Sequence, residues 1–444
     1  MKTIRIGAGS GFGGDRIEPA VELAEKGALD YLVFECLAER TIALAQQARL
    51  QDPNAGYDRL LDERMRAVLP VCRRSHVRIV SNMGAANPAA AAQAIASIGR
   101  DLGYAGLKIA YVLGDDVLGQ VRETSPALTD GPGAFADIAD RAISANAYLG
   151  VAPIVEALAG GADVVITGRV GDPALFMAPL AHEFGWREDD WERLGRGALI
   201  GHLLECGSQL TGGYFADPGV KDVADLARLG FPLAEVDADG GALFSKVEGS
   251  GGELSLRTCK EQLLYEVHDP ARYIQPDVVA DFTSARFEQV GPNRVRLSGG
   301  GGSPRTDSLK VTIGHHDGFI GEGQISYAGA GAEARARLAL AIVEERLRML
   351  GVAVSELRLD VIGVDSVYRG PRPDAEVLDV RARVAGRTAS LQDAQRIGRE
   401  VEAVWINGPA GGGGATWSAR QVVAAASALL PRSLIAPTVH WLEA

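Results

Sequence analysis

The sequence predicts an α/β fold, with a doubly wound, mostly parallel sheet in the N-terminal half and a mixed α+β domain after it. Three observations predict it. Strand-like and helix-like segments alternate through residues 1–220, the strands there are short and almost wholly apolar, and strands crowd together after about residue 220. Apolar strands such as Asp163-Val164-Val165-Ile166-Thr167 suit a parallel sheet covered on both faces. A repeated strand-then-helix order builds such a sheet. The expected domains are 1–220, an α/β domain with glycine-rich strand-end loops, and 221–444, an α+β domain.

Taken in order, strands are expected at 3–8, 31–35, 77–81, 107–113 and 164–167, each an apolar run bounded by turn residues. Alanine-rich segments predict helices at 19–26, 58–72, 88–102, 135–149 and 150–159. Asn87 and Asp172 each precede a proline, which places a capping side chain before proline at the first helical position. In the second half, strands are expected at 242–247, 253–257, 278–283, 287–290, 295–298, 309–313, 319–327 and 356–364, with a turn at Gly291-Pro292-Asn293. Residues 332–349 form an amphipathic helix with Leu338, Leu340, Ile342, Val343 and Leu347 on its apolar side. Further helices are expected at 390–404 and 417–429.

Bulk properties exclude several classes. With 45 basic and 57 acidic residues the net charge is −12, which disfavours nucleic acid and anionic membranes as partners. No apolar run reaches the roughly 20 residues that span a bilayer. The chain enters a strand pattern at once, without the features of a signal peptide, and its four cysteines are widely spaced. Together these predict a reduced, cytoplasmic protein. The seven histidines show no ligand spacing, so no metal is expected.

Glycine is in excess, 55 of 444 residues, against about 7% in an average protein. It arrives in bursts. The first, Gly7-Ala8-Gly9-Ser10-Gly11-Phe12-Gly13-Gly14-Asp15, follows a strand and contains GxGxxG at Gly9, Gly11 and Gly14. Glu35 ends the next strand, where a dinucleotide fold places its ribose-binding acid. Against a nicotinamide or flavin site, Asp15 and Glu18 put acids beside the proposed phosphate; Asp15 reads better as a helix N-cap with Glu18 completing a capping box. The remaining readings are a tight turn, or a floor for another small ligand built from Gly9, Ser10, Gly11 and Gly14. The second burst, Gly408–Gly414, precedes a predicted helix, so amides at Gly412 and Gly413 are candidates for a phosphate. It lacks the ending of a P-loop. A third, Gly299–Gly302, reads as a hairpin tip or lid.

Ligands of open α/β sheets bind at the carboxyl ends of the strands. Glu35 there is a candidate general acid or base, because a carboxyl beside apolar residues has a raised pKa. Arg169 offers a planar cation for a substrate carboxylate or phosphate. Asn82 is a candidate hydrogen-bond donor to an oxyanion, and Asp172 joins the ligand-binding set. The alternative for Glu35 and Arg169 is a structural ion pair. Glu35 beside Cys36, and Glu205 beside Cys206, disfavour a cysteine nucleophile. His202 and Glu205 share a helical face and read as a proton-transfer pair or a buried structural one.

The segments Gly-Ala-Gly-Ser-Gly-Phe-Gly-Gly-Asp-Arg (7–16), Asp-Tyr-Leu-Val-Phe-Glu-Cys-Leu-Ala-Glu (30–39), Ser-Asn-Met-Gly-Ala-Ala-Asn-Pro (81–88), Val-Ile-Thr-Gly-Arg-Val-Gly-Asp-Pro-Ala-Leu (165–175) and Tyr-Glu-Val-His-Asp-Pro-Ala-Arg-Tyr-Ile-Gln-Pro-Asp-Val (265–278) resemble the acyclic terpene utilisation AtuA family. The likeness runs in order through essentially the whole chain. It implies a role in catabolism of acyclic terpenes and branched acids as acyl-CoA thioesters, beside biotin-dependent carboxylases. It also implies a small AtuA-like ferredoxin-fold partner, here a separate polypeptide. It assigns no catalytic residues. The expected function is a hydratase or lyase without a redox cofactor, acting as a homo-oligomer on a branched-chain or terpene-derived carboxylate or acyl-CoA. The alternatives are a non-catalytic scaffold subunit of an acyl-CoA-processing assembly and, third, a nucleotide-cofactor oxidoreductase.

Overall fold

The structure, a computed structural model, describes residues 2–370 and 376–444. In chain order its elements are β1 (Thr3–Ser10), α1 (Glu18–Lys26), β2 (Tyr31–Phe34), α2 (Glu39–Gln51), α3 (Leu61–Ser75), β3 (Arg78–Ser81), α4 (Pro88–Asp101), β4 (Lys108–Leu113), α5 (Leu118–Thr124), β5 (Ala142–Ala147), α6 (Ala152–Ala159), β6 (Val164–Ile166), α7 (Ala174–Phe184) and α8 (Trp191–Glu205). There follow β7 (Pro232–Asp237), β8 (Ala242–Lys246), α9 (Leu256–Leu264), β9 (Tyr273–Ile274), β10 (Val279–Asp281), β11 (Arg286–Gly291), β12 (Arg294–Ser298), β13 (Gly301–Ser303) and β14 (Ser308–Ala328). The last are α10 (Ala332–Met349), β15 (Val354–Ile362), β16 (Asp379–Thr388), α11 (Leu391–Asn407), β17 (Gly413–Pro431) and β18 (Thr438–Glu443). The protein is mixed α/β, with 35% helix and 31% strand in several sheets.

Two compact units result. One runs to His315 and takes back Ala425–Ala444; the other is His316–Ala424. The first holds a ten-stranded sheet in the order β11-β12-β8-β7-β1-β2-β3-β6-β4-β18. Strands β1, β2, β3, β6 and β4 are parallel, and the flanking strands are antiparallel. Side chains alternate along β2 and both faces are covered. Tyr31 and Val33 pack with residues of α6, α7 and α8, while Leu32 and Phe34 pack with residues of α1, α3 and α4. Continuous apolar strands are the sequence mark of this double coverage.

The second unit has its own core. Phe319–Ala328 of β14 pairs antiparallel with β16, which pairs with β15. Helices α10 and α11 cover that sheet through Ala336, Leu340, Val343, Leu347, Ile397 and Val401.

Several expectations need correction. The parallel strands do not wind outward both ways from β1, because β1 has parallel β2 on one side and antiparallel β7 on the other. The division expected at 220/221 falls inside the first unit, where the change in pattern marks strands added to the existing sheet. Residues 135–149 contain two short 3₁₀ turns and strand β5, and 417–429 lies in strand β17, not a helix. Both segments are alanine-rich, yet pairing with β14 overrides the helical preference. Residues 253–257 are a helix start, with the Ser255 side chain accepting from the Thr258 amide. The two strands expected at 309–313 and 319–327 are one, β14.

Candidate functional site

Parallel pairing brings the carboxyl ends of β2, β3 and β6 side by side, and these ends carry Glu35, Asn82 and Arg169. Glu35 Oε1 accepts from Asn82 Nδ2 at 2.9 Å and from the Leu37 amide at 2.8 Å. Asn82 Oδ1 accepts in turn from the Cys36 amide at 2.8 Å, so the amide side chain is fixed at both ends. Asn82 is fully buried and Glu35 nearly so. Burial first, and the Asp172 carboxylate second, push the Glu35 carboxyl well above the usual range, against the opposing pull of Asn82, the Leu37 amide and Arg169.

Arg169 is 1% exposed. Its Nη1 donates to Asp172 Oδ1 at 2.6 Å and to the Leu37 carbonyl at 2.7 Å. Its guanidinium lies 4.0 Å from the Tyr148 ring centroid, and Nη2 is 4.0 Å from Glu39 Oε1. The Tyr148 hydroxyl donates to Glu39, and Lys310 Nζ lies 3.0 Å from the same Glu39 oxygen. Burial pushes the Glu39 carboxyl up, but Arg169, the Tyr148 hydroxyl and Lys310 outweigh it and hold it at about 2. These groups line a cavity of about 240 Å³ whose wall includes Glu39, Tyr148, Arg169, Asp172, Tyr273 and Lys310, with apolar contributions from Ile274, Pro276 and Leu309. Both of its cations are therefore already paired.

Below this wall Asp115 Oδ2 accepts from the Arg169 amide and from Asn146 Nδ2, both at 2.9 Å. Burial raises its carboxyl to about 6, against those two hydrogen bonds. A Cβ on Gly168 would stand 2.5 Å from Asp115 Oδ2, so glycine there lets the carboxyl sit beneath the turn that carries Arg169.

The sequence-predicted residues divide accordingly. Glu35, Asn82, Arg169 and Asp172 come together. Asp172 is not a helix cap: α7 starts at Ala174, and the carboxylate has turned to Arg169 instead. Asn87 does cap α4, accepting from the Ala90 amide. Ser10 Oγ donates to the Glu35 carbonyl at 2.8 Å, which ties β1 to the same strand end.

The first glycine burst serves close packing. A Cβ on Gly9 would lie 2.6 Å from the Phe34 ring, one on Gly11 2.4 Å from the Cys206 backbone, and one on Gly14 2.7 Å from the Phe12 ring. Asp15 caps no helix; its Oδ2 accepts from the Gly11 amide at 2.9 Å, so that amide is occupied. Fully buried Arg64 completes the loop, with Nη2 3.0 Å from the Gly13 carbonyl. Gly412 and Gly413 lie in the second unit, before and at the start of a strand, with no helix N-terminus to aim their amides. The third burst is no exposed tip: Gly300 and Gly301 are buried, and a Cβ on Gly195 of α8 would meet the Gly301 carbonyl at 2.0 Å.

The sequence reading missed Glu39, Tyr148 and Lys310. Glu39 stands at the first position of α2, four residues after Glu35, and its acidity there is an ordinary helix-start signal. Tyr148 follows β5, which reads as helix, and Lys310 is one polar position of an alternating strand. Neither carries a local mark.

Residues 4–441 match the sequence model of a family described as acyclic terpene utilisation family protein AtuA. No curated protein matches the chain.

Proposed function

The chain belongs to the acyclic terpene utilisation AtuA family, which implies a role in acyclic terpene utilisation, and from that premise we propose that it is a hydratase or lyase acting on a terpene-derived or branched-chain acyl-CoA. The observation that carries this reading is the buried Glu35 carboxyl, raised by burial and oriented by Asn82 beside a cavity that also presents carboxylates. Adding or removing water next to an activated carbonyl needs a proton donor and a proton acceptor in different ionisation states. Glu35 gives the proton to the departing hydroxyl, and Asp172 takes the proton from carbon. Lys310, whose ammonium has donors beyond the one on Glu39, stabilises the oxyanion, a role the first glycine loop loses because Asp15 occupies the Gly11 amide. Arg169 shapes the wall; its Nη1 is held by Asp172 and the Leu37 carbonyl. Because both cavity cations are paired, an uncharged acyl thioester fits better than a free carboxylate. No redox cofactor enters this scheme. We place the protein in the reducing cytoplasm, as a homo-oligomer with a separate small AtuA-like ferredoxin-fold partner.

The second reading, a non-catalytic binding or scaffold subunit, draws on one observation: Arg169 is buried and its Nη1 is engaged by Asp172 and the Leu37 carbonyl, as a structural ion pair would be. Assay of the purified protein against unsaturated branched acyl-CoAs and the matching hydroxyacyl-CoAs, with and without the small partner, separates the two. Turnover is expected, with Glu35→Gln lowering kcat by roughly 10²–10⁴-fold. Absence of turnover in both conditions overturns the hydratase or lyase reading.

A further inference from the structure

His202 and Glu205 form a buried pair, with 3.0 Å between Nδ1 and Oε1, and stand outside the cavity wall. The charged side chain of that wall with no part in the scheme is Glu266. It lines the cavity together with Tyr273, Ile274 and Pro276, all from the sequence stretch 265–278.

The backbone places Glu266 there under strain. Helix α9 ends at Leu264, and residues 264–267 form a type II turn. Tyr265 stands at φ −65° and ψ 122°, Glu266 at φ 58°, and the Val267 amide donates to the Leu264 carbonyl at 3.4 Å. The left-handed position of such a turn suits glycine, and a glutamate there costs conformational energy. A strained residue on a cavity wall points to a task for its side chain.

Charge says which task. The wall carries three carboxylates, Glu39, Asp172 and Glu266, against two cations, Arg169 and Lys310. Arg169 pairs with Asp172, and Lys310 with Glu39. Glu266 is exposed, and among the described residues no cation pairs with it. Its charge reaches the rest of the wall: burial above all, with Glu205, Asp172 and Glu266 adding to it, pushes the Tyr273 hydroxyl well above its usual range. The Lys310 ammonium, left to itself, attracts the carboxylate of a free acid no less than the oxyanion formed from a thioester. An unpaired carboxylate on the same wall repels a ligand that arrives as an anion. The acyl end of a thioester arrives uncharged and escapes that penalty on entry.

We infer that Glu266 is a specificity-determining residue that disfavours free acids, so that the cavity beside Glu35 takes the uncharged thioester instead. Selection here is by repulsion of the wrong ligand and not by added contacts to the right one, and it rests on reading the cavity as an acyl-binding site.

Calorimetric titration of the full chain with dimethylacrylic acid and with its N-acetylcysteamine thioester reads this by binding, independent of turnover. The wild type is expected to prefer the thioester. Glu266→Gln should tighten the free acid by at least about fivefold and leave the thioester within about twofold. Glu266→Asp keeps the charge on a residue that tolerates the left-handed backbone, and should keep the preference. Glu261→Gln removes an equal charge from α9 outside the cavity wall, and should move neither affinity by more than about twofold. A wild-type preference for the free acid overturns the inference. So does an acid affinity unmoved in Glu266→Gln, loss of the preference in Glu266→Asp, or an equal gain for the acid in Glu261→Gln. If the wild type binds neither compound, the acyl-site reading falls and takes the role of Glu266 with it. Charge-selective binding without turnover would instead sink the hydratase or lyase reading alone.

Discussion

Asp115 is buried at the carboxyl end of β4, and its side-chain hydrogen bonds come from the Arg169 amide and Asn146. Its carboxyl is raised from 3.8 to about 6 by burial. Between those values the native state holds the proton more tightly than the unfolded chain, so this residue's contribution falls as pH rises through that window. An asparagine accepts the same two hydrogen bonds without ionising. Relative to wild type, Asp115→Asn should therefore gain about 2 kcal/mol of unfolding free energy between pH 4 and pH 7. Urea unfolding at the two pH values checks this, and parallel stability curves for the two proteins would refute it. Glu39 has the opposite sign. Held at about 2, it contributes stability that is present above the usual carboxylate value and lost as pH falls through its own. At this scale the sequence picked out polar residues at neighbouring strand ends, Glu35, Asn82 and Arg169, and the structure brings them together. It could not give their partners. Arg169 reads as a free anchor until Asp172, Leu37 and Tyr148 are seen around it.

Among elements, the loop between β1 and α1 tests what the glycines are for. A substrate floor at Gly11 would leave its amide open, whereas the Asp15 carboxylate occupies that amide and the Cys206 backbone fills the space of a side chain. Gly11→Ala should thus cost about 1–3 kcal/mol of stability through overpacking. The measurement is thermal or urea unfolding of the variant. A variant as stable as wild type that fails to bind acyl-CoA would restore the ligand-floor reading. The strands of the parallel sheet were legible because burial on both faces leaves an unbroken apolar run. Strands β5 and β17 were not, because alanine and small polar residues report no preference strong enough to survive pairing with β14. Long-range pairing is invisible to a local window.

For the whole molecule, two compact units with separate apolar cores imply separable unfolding. The core of His316–Ala424 includes Leu347, 3% exposed, on α10. Leu347→Ala should destabilise that unit by about 3 kcal/mol. Scanning calorimetry is expected to resolve two transitions, only one of which moves in the variant; a single transition that shifts as a whole would count against separate units. Among the described residues no helix is long and apolar enough to cross a membrane, and all four cysteines are free thiols. The sequence by itself determined the family, the mixed α/β class and the strand ends where polar chemistry gathers, because these are written in composition, apolar runs and contiguous motifs. Only the tertiary structure decided the rest. It made Asp172 a partner of Arg169 instead of a helix cap, brought Tyr148 and Lys310 to Glu39, set the limits of the two units and turned the first and third glycine bursts into packing surfaces. Each of those outcomes depends on residues far apart in the chain meeting in a dry, close-packed interior, and such meetings leave no trace in local sequence.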